Sequence, residues 1–146
     1  MGLDNGIILR VKGKLNPDAA ILKLPGIEET DWNGSIPEPG FTYYDICYWR
    51  KCSNIRNILL ESTEESQNIE NGYFIMSADD MRYFFNELTT LLENGPDSWE
   101  DKGSCFWSFE DMVPNLAWDL VRLGALMRFV KGEGAGKCEV RFYDSY

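Results

Sequence analysis

The stretch Tyr73-Phe74-Ile75-Met76-Ser77-Ala78-Asp79-Asp80-Met81, running on to Asn94-Gly95-Pro96, decides the fold class. Four consecutive β-favouring or apolar residues read as a short strand, and Ser77 follows as a helix N-cap whose hydroxyl accepts from a free amide of the first turn. Met81, Phe84, Phe85, Leu88, Leu91 and Leu92 then keep the i, i+3, i+4, i+7 spacing of one apolar helix face, and Asn94-Gly95-Pro96 supplies the stop. A strand leading directly into an amphipathic helix, with no regular alternation around it, points to an α+β domain.

Outward from this unit the remaining elements follow. Ile7, Ile8, Leu9 and Val11, with Arg10 and Lys12 interleaved, predict a first strand over about 3–12. Repeated Pro and Gly between Gly13 and Gly40 predict a long loop or surface arm over about 13–40. Tyr48, Cys52, Ile55 and Leu59, spaced four, three and four, predict one helix from Tyr43 to about Ser62. Residues 95–108 read as an aromatic, acidic loop. A last helix is expected from Pro114, which suits a first turn, to Lys131, with Gly132 ending it. Cys138-Glu139-Val140-Arg141-Phe142-Tyr143 alternates like a final strand. The expected order is β-loop-α-β-α-α-β, a small, mostly antiparallel sheet packed with about three helices in one domain, 1–146.

The chain has 146 residues and no histidine, which removes the commonest general base, zinc ligand and neutral-pH switch together. No serine stands in a nucleophile-elbow context, so the expectation is a non-enzymatic protein without cofactor or metal. Cys47, Cys52, Cys105 and Cys138 have no C-x-x-C pair and irregular spacing, and are expected to be buried, reduced packing thiols in a cytoplasmic protein. No apolar run is long enough to span a bilayer. Gly132-Glu133-Gly134-Ala135-Gly136-Lys137 lacks Walker spacing and reads as a helix-to-strand connection.

Charge placement says more than the net −10. Residues 61–119 hold 14 acids against Arg82 and Lys102, a net −12, which leaves +2 for the rest. Direct nucleic-acid binding needs a basic stripe, so a basic partner protein is expected instead. The candidate acidic face is Glu64, Glu65, Glu70, Asp79, Asp97, Glu100 and Asp101, with Trp99 and Trp107 as interface anchors. Asp79-Asp80 and Glu110-Asp111 read first as capping and solvating acids, and only a lower alternative makes them a metal-dependent hydrolase site. A second reading takes Trp49, Arg50, Lys51 and Arg56 as a nucleotide-binding or messenger-sequestering cluster, with the tryptophan stacking and the cations holding phosphate.

Met1-Gly2-Leu3-Asp4, the run Tyr48-Trp49-Arg50-Lys51 with Ile55, and the tyrosine-bearing C-terminal strand together resemble a family of small phage and prophage proteins. The pattern departs at Ser53 and Arg56, where that family carries asparagine and histidine. The resemblance implies a mobile-element origin and a compact α+β fold in a bacterial host cell. Joined to the charge asymmetry, it makes a stoichiometric inhibitor of a host protein that handles nucleic acid in defence the leading expectation.

Overall fold

The computed structural model describes residues 4–31, 37–62, 72–103, 105 and 107–145. The chain is α+β, as expected. Its strands are β1 (Asp4–Lys12), β2 (Glu28–Thr30), β3 (Phe41–Arg50), β4 (Tyr73–Ile75) and β5 (Cys138–Ser145), in a sheet of order β2-β3-β1-β5-β4. Every pairing is antiparallel. The helices are α1 (Ser53–Ser62), α2 (Ala78–Asn94), α3 (Pro96–Asp101) and α4 (Phe109–Lys131).

The unit that set the fold class is as expected and carries a reciprocal cap. Ser77 Oγ accepts from the Asp80 amide at 3.1 Å while the Asp80 carboxylate accepts from the Ser77 amide at 2.9 Å. Met81, Phe84, Leu88 and Leu91 are its buried residues. Gly132 to Lys137 is the turn from α4 to β5, again as expected.

Four expectations are corrected. Residues 43–62 are not one helix: β3 runs to Arg50, the chain turns at Lys51 with φ +52°, and α1 begins at Ser53. The run Phe41-Thr42-Tyr43-Tyr44 is aromatic and β-branched and favours a pleated strand, and the four-three-four spacing straddled the corner between two elements. The 95–108 loop contains α3, started by Pro96 after Gly95. The last helix begins at Phe109, capped by Ser108 Oγ accepting from Asp111 N at 3.2 Å, so Pro114 lies inside it. The 13–40 arm includes a 3₁₀ turn at Ala20–Lys23 and the edge strand β2.

The two sheet faces differ. Ile7, Leu9, Val11, Trp49, Val140 and Phe142 face the helices and join Phe84, Leu88, Leu116 and Leu123 in the main core. On the other face Ile8, Tyr43 and Tyr143 form a second cluster with Phe41 and Tyr73, and among the described residues none from a helix belongs to it. Arg141, 3% exposed, lies over the Tyr73 ring at 4.0 Å and reaches Glu139 at 3.3 Å and Glu38 at 3.8 Å. Arg10 covers Phe41 at 3.6 Å and pairs with the same two glutamates. Among the described residues, paired guanidinium groups cover this face.

Gly6 shows how closely that cover fits. It is buried in β1 opposite Tyr143, and a Cβ there would stand 2.4 Å from the tyrosine ring. Gly6→Ala is expected to cost about 1–3 kcal/mol, because the ring must leave a packed site. Urea unfolding of the variant measures it, and an unchanged midpoint would mean the ring moves freely.

Candidate functional site

The groups that converge on one cleft come from β3 and α4. Trp49 ends the inward-facing row of β3 and is 2% exposed, with its ring edge-on to Phe84 at 5.7 Å. Its indole N–H donates to Asp119 Oδ2 at 2.8 Å, and Arg122, one turn along α4, donates from Nη1 to Asp119 Oδ1 at 3.0 Å. Arg122 also donates from Nε to the Pro25 carbonyl at 2.6 Å. One carboxylate therefore ties α4 to β3, and its arginine ties α4 to the turn before β2.

Burial dominates the chemistry of these groups. It pushes Asp119 up to about 6 against the lowering effect of the Trp49 and Arg122 hydrogen bonds and charge. Burial, then Asp119, push the Cys47 thiol well up, which makes it a poor nucleophile. Asp45 on the cleft wall is raised by burial and then by Glu28, its partner across β2. The cleft has a volume of about 410 Å³, and Tyr48, Arg50, Trp107 and Asn115 also line it.

The predicted cluster of Trp49, Arg50, Lys51 and Arg56 divides in the structure. Arg50 is exposed and lines the cleft, whereas Lys51 sits at the strand–helix corner and Arg56 is half-buried in α1. Trp49 has no ring face to offer a ligand; it is a core residue that orients Asp119. The ring at the cleft mouth is Trp107, 47% exposed. Of the motifs that carried the family resemblance, Met1, Gly2 and Leu3 lie outside the described residues, while Asp4 is opposite Arg50, and Gly6 of the same strand is opposite both Tyr48 and Tyr143. Tyr48 Oη donates to Asp4 Oδ1 at 3.0 Å.

Of the predicted acidic face, Glu64, Glu65 and Glu70 lie outside the described residues. Asp79 is exposed, and so are Asp97, Glu100 and Asp101, but not side by side. Asp79 opens α2 and the other three lie beyond its far end, about 25 Å along a 17-residue helix. Asp79 is also paired with Arg82 at 3.4 Å. Trp99 is corrected as an anchor: it is 3% exposed, because α3 turns it into the core beside Phe109, with ring centroids 6.2 Å apart.

The cysteine expectation is also overturned. Cys52 and Cys105 are disulfide-bonded, with Cα atoms 4.0 Å apart across 53 residues of sequence. Cys47 and Cys138 are free thiols. The pairing has a tertiary cause: Asn54 donates to the Trp99 carbonyl at 3.4 Å and Asn57 to the Lys102 carbonyl at 2.6 Å, which lays α1 along α3 and brings Cys105 to the start of α1.

One surface went unread in the sequence. Val113, Pro114, Ala117, Trp118 and Val121 are all exposed on α4, with Trp118 at 45% and Val121 at 46%. The i, i+4, i+8 spacing of Val113, Ala117 and Val121 was the available signal. It was obscured because Leu116, Leu120 and Leu123 already supplied an apolar face, and a helix apolar on two sides is read from its stronger stripe. Exposed Glu110 and Asp111 open this face, and exposed Asp97, Glu100 and Asp101 precede it.

Among the described residues no three His, Cys, Asp or Glu side chains are grouped to hold a metal ion. No described helix is long and apolar enough to cross a membrane. Comparison of the chain with protein-family models, curated proteins and solved structures finds no match in any of the three.

Proposed function

We propose that this protein is a non-enzymatic binding module that docks a basic partner protein through the outward face of α4 and the acidic α3 turn before it. The observation that carries the reading is the exposure of Val113, Trp118 and Val121 on α4, with Trp107 shortly before it, within 15 residues of chain that also expose Glu110 and Asp111. Large apolar side chains grouped on a surface mark interaction sites, and tryptophans dominate interface energetics. Carboxylates at the rim steer a basic partner and slow its loss at low salt. In the setting that the family resemblance implies, the partner is a host protein that handles nucleic acid, and the acids occupy its phosphate-binding groove.

The test is capture from host lysate on immobilised protein, repeated with Trp118→Ala and with Glu100→Lys/Asp101→Lys. A partner bound by the parent chain is expected to bind Trp118→Ala about thirtyfold more weakly, the loss of one hot-spot side chain. The charge-reversed form should associate more slowly, and added salt should reproduce that effect. Equal capture by all three forms at every ionic strength sinks the proposal. Dimerisation of the protein alone, abolished by Trp118→Ala, would assign the face to a second copy instead.

A further inference from the structure

The outer edge of β3 is only partly covered. β2 pairs with it over Tyr43–Asp45, so from Ile46 to Arg50 no described strand borders that edge, and the cleft lies there instead. The chain leaves the line of β2 at Gly26, where φ is +84°, and this turn lines the same cleft. An open strand edge offers alternate backbone N–H and C=O groups to a further strand. The stretch Ile46 to Arg50 is about 16 Å long at roughly 3.3 Å per residue, enough for a peptide of about four residues. One side of the cleft is apolar: Cys47, Trp49 and Met112 line it and are almost fully buried.

One end of this edge carries a fixed positive charge. Arg122 gives Nε to the Pro25 carbonyl and Nη1 to Asp119, which holds its guanidinium at the turn. Nη2 lies beside Gly26, where a Cβ would stand 2.7 Å from it, and neither of those bonds uses it. The charge selects the direction of an added strand. A strand antiparallel to β3 and in line with β2 runs from opposite Arg50 toward Gly26, so its C-terminal end meets Arg122. A parallel strand would bring a terminal ammonium to the guanidinium instead, and like charges repel. We infer that the open edge of β3 takes the free C-terminus of an extended peptide as an added strand, with the terminal carboxylate on Arg122 Nη2. The charge-assisted bond sets the direction, and main-chain bonds to β3 supply affinity. Side chains alternate along a strand, so every second one meets Cys47, Trp49 and Met112, which selects apolar residues at those positions. Trp107 also lines the cleft, and the proposal assigns it no contact.

The experiment is calorimetric titration of the full chain with an acetylated tetrapeptide of alternating valine and threonine, as the free acid and as the C-terminal amide. The acid should bind, and the amide should bind at least about tenfold more weakly. Amide hydrogen exchange followed by nuclear magnetic resonance is the second readout, and alternate backbone amides between Cys47 and Arg50 should exchange more slowly with the acid bound. Arg122→Lys should weaken the acid by about tenfold and leave the amide unchanged. If that variant does not fold, the acid–amide comparison and the exchange pattern of the parent chain decide. No heat from the acid at millimolar concentration overturns the inference. So does an amide that binds as tightly as the acid, or protection that misses Cys47 to Arg50. A dimer of the chain alone that protects those amides would give the edge to a second copy and overturn it as well. Capture of a basic partner takes no part in this titration, so the α4 docking face and the β3 edge fail separately.

Discussion

Reducing the Cys52–Cys105 bond is expected to lower the unfolding free energy by about 4 kcal/mol, the entropy that a closed loop of this length removes from the unfolded chain. The bond spans 53 residues, which include β4, all of α2 and all of α3, so the reduced unfolded chain gains freedom in more than a third of its length. For a domain of 146 residues that corresponds to a melting point lower by roughly 10–15 °C. Cys105→Ser is the variant of choice, since Cys105 is half-buried while Cys52 is fully buried and a serine there would strand a hydroxyl. Its melting point should match that of the reduced parent and should not respond to reductant. Thiol titration of the denatured, unreduced protein should count two groups, Cys47 and Cys138, and four after reduction. Identical melting with and without reductant, or four titratable thiols from the start, would remove the bond from the account.

Asp119→Ala should be nearly as damaging. Its carboxyl is 4% exposed and accepts from both Trp49 and Arg122, so alanine leaves a buried indole N–H and most of a guanidinium without an acceptor. Breaking a buried pair of this kind costs about 3–5 kcal/mol, and the partial exposure of Arg122 places the expectation near the lower end. The same residue sets a pH dependence. With its folded pKa raised to about 6, Asp119 holds its proton more tightly in the folded protein than in the unfolded chain. Its contribution to stability is therefore complete below pH ~4 and is lost as the pH rises through about 6, a span of about 2–3 kcal/mol. Asp119→Asn cannot titrate. Relative to it, the parent chain should gain that amount between pH 7.5 and pH 4 in urea unfolding, and parallel curves would show that Asp119 titrates normally. The comparison with Asn is needed because Asp45 is raised too and adds a slope of the same sign in both proteins.

The sequence was most legible where local chemistry and burial agree. In Ser77–Pro96 the cap, the apolar period and the Gly-Pro stop lie within one element and point the same way, so α2 could be placed from residues alone. Phe41–Ser62 failed for the opposite reason. Its apolar positions belong to a strand with period two and a helix with period 3.6, and four of them fall by accident on a single helical face across the corner at Lys51. The candidate site shows the same division. Arg50 and Trp107 were singled out from residue type and do line the cleft, but Arg122 and Asp119 were not, because each is an ordinary charged residue on an amphipathic helix until β3 is packed against it.

What the sequence by itself determined is the class of the protein: a histidine-free, acidic chain whose strand–helix signals add to an α+β fold, with its acids concentrated between residues 61 and 119. These are properties of composition and of neighbours a few residues apart, and they survive whatever the rest of the chain does. Which groups meet was decided only by tertiary structure. Cys52 meets Cys105, Trp49 meets Asp119 and Pro25 meets Arg122 across 53, 70 and 97 residues of sequence. No local preference reports on such a distance. Each contact exists because the apolar faces of β3, α1 and α4 share one core, and burying that core brings their edges together.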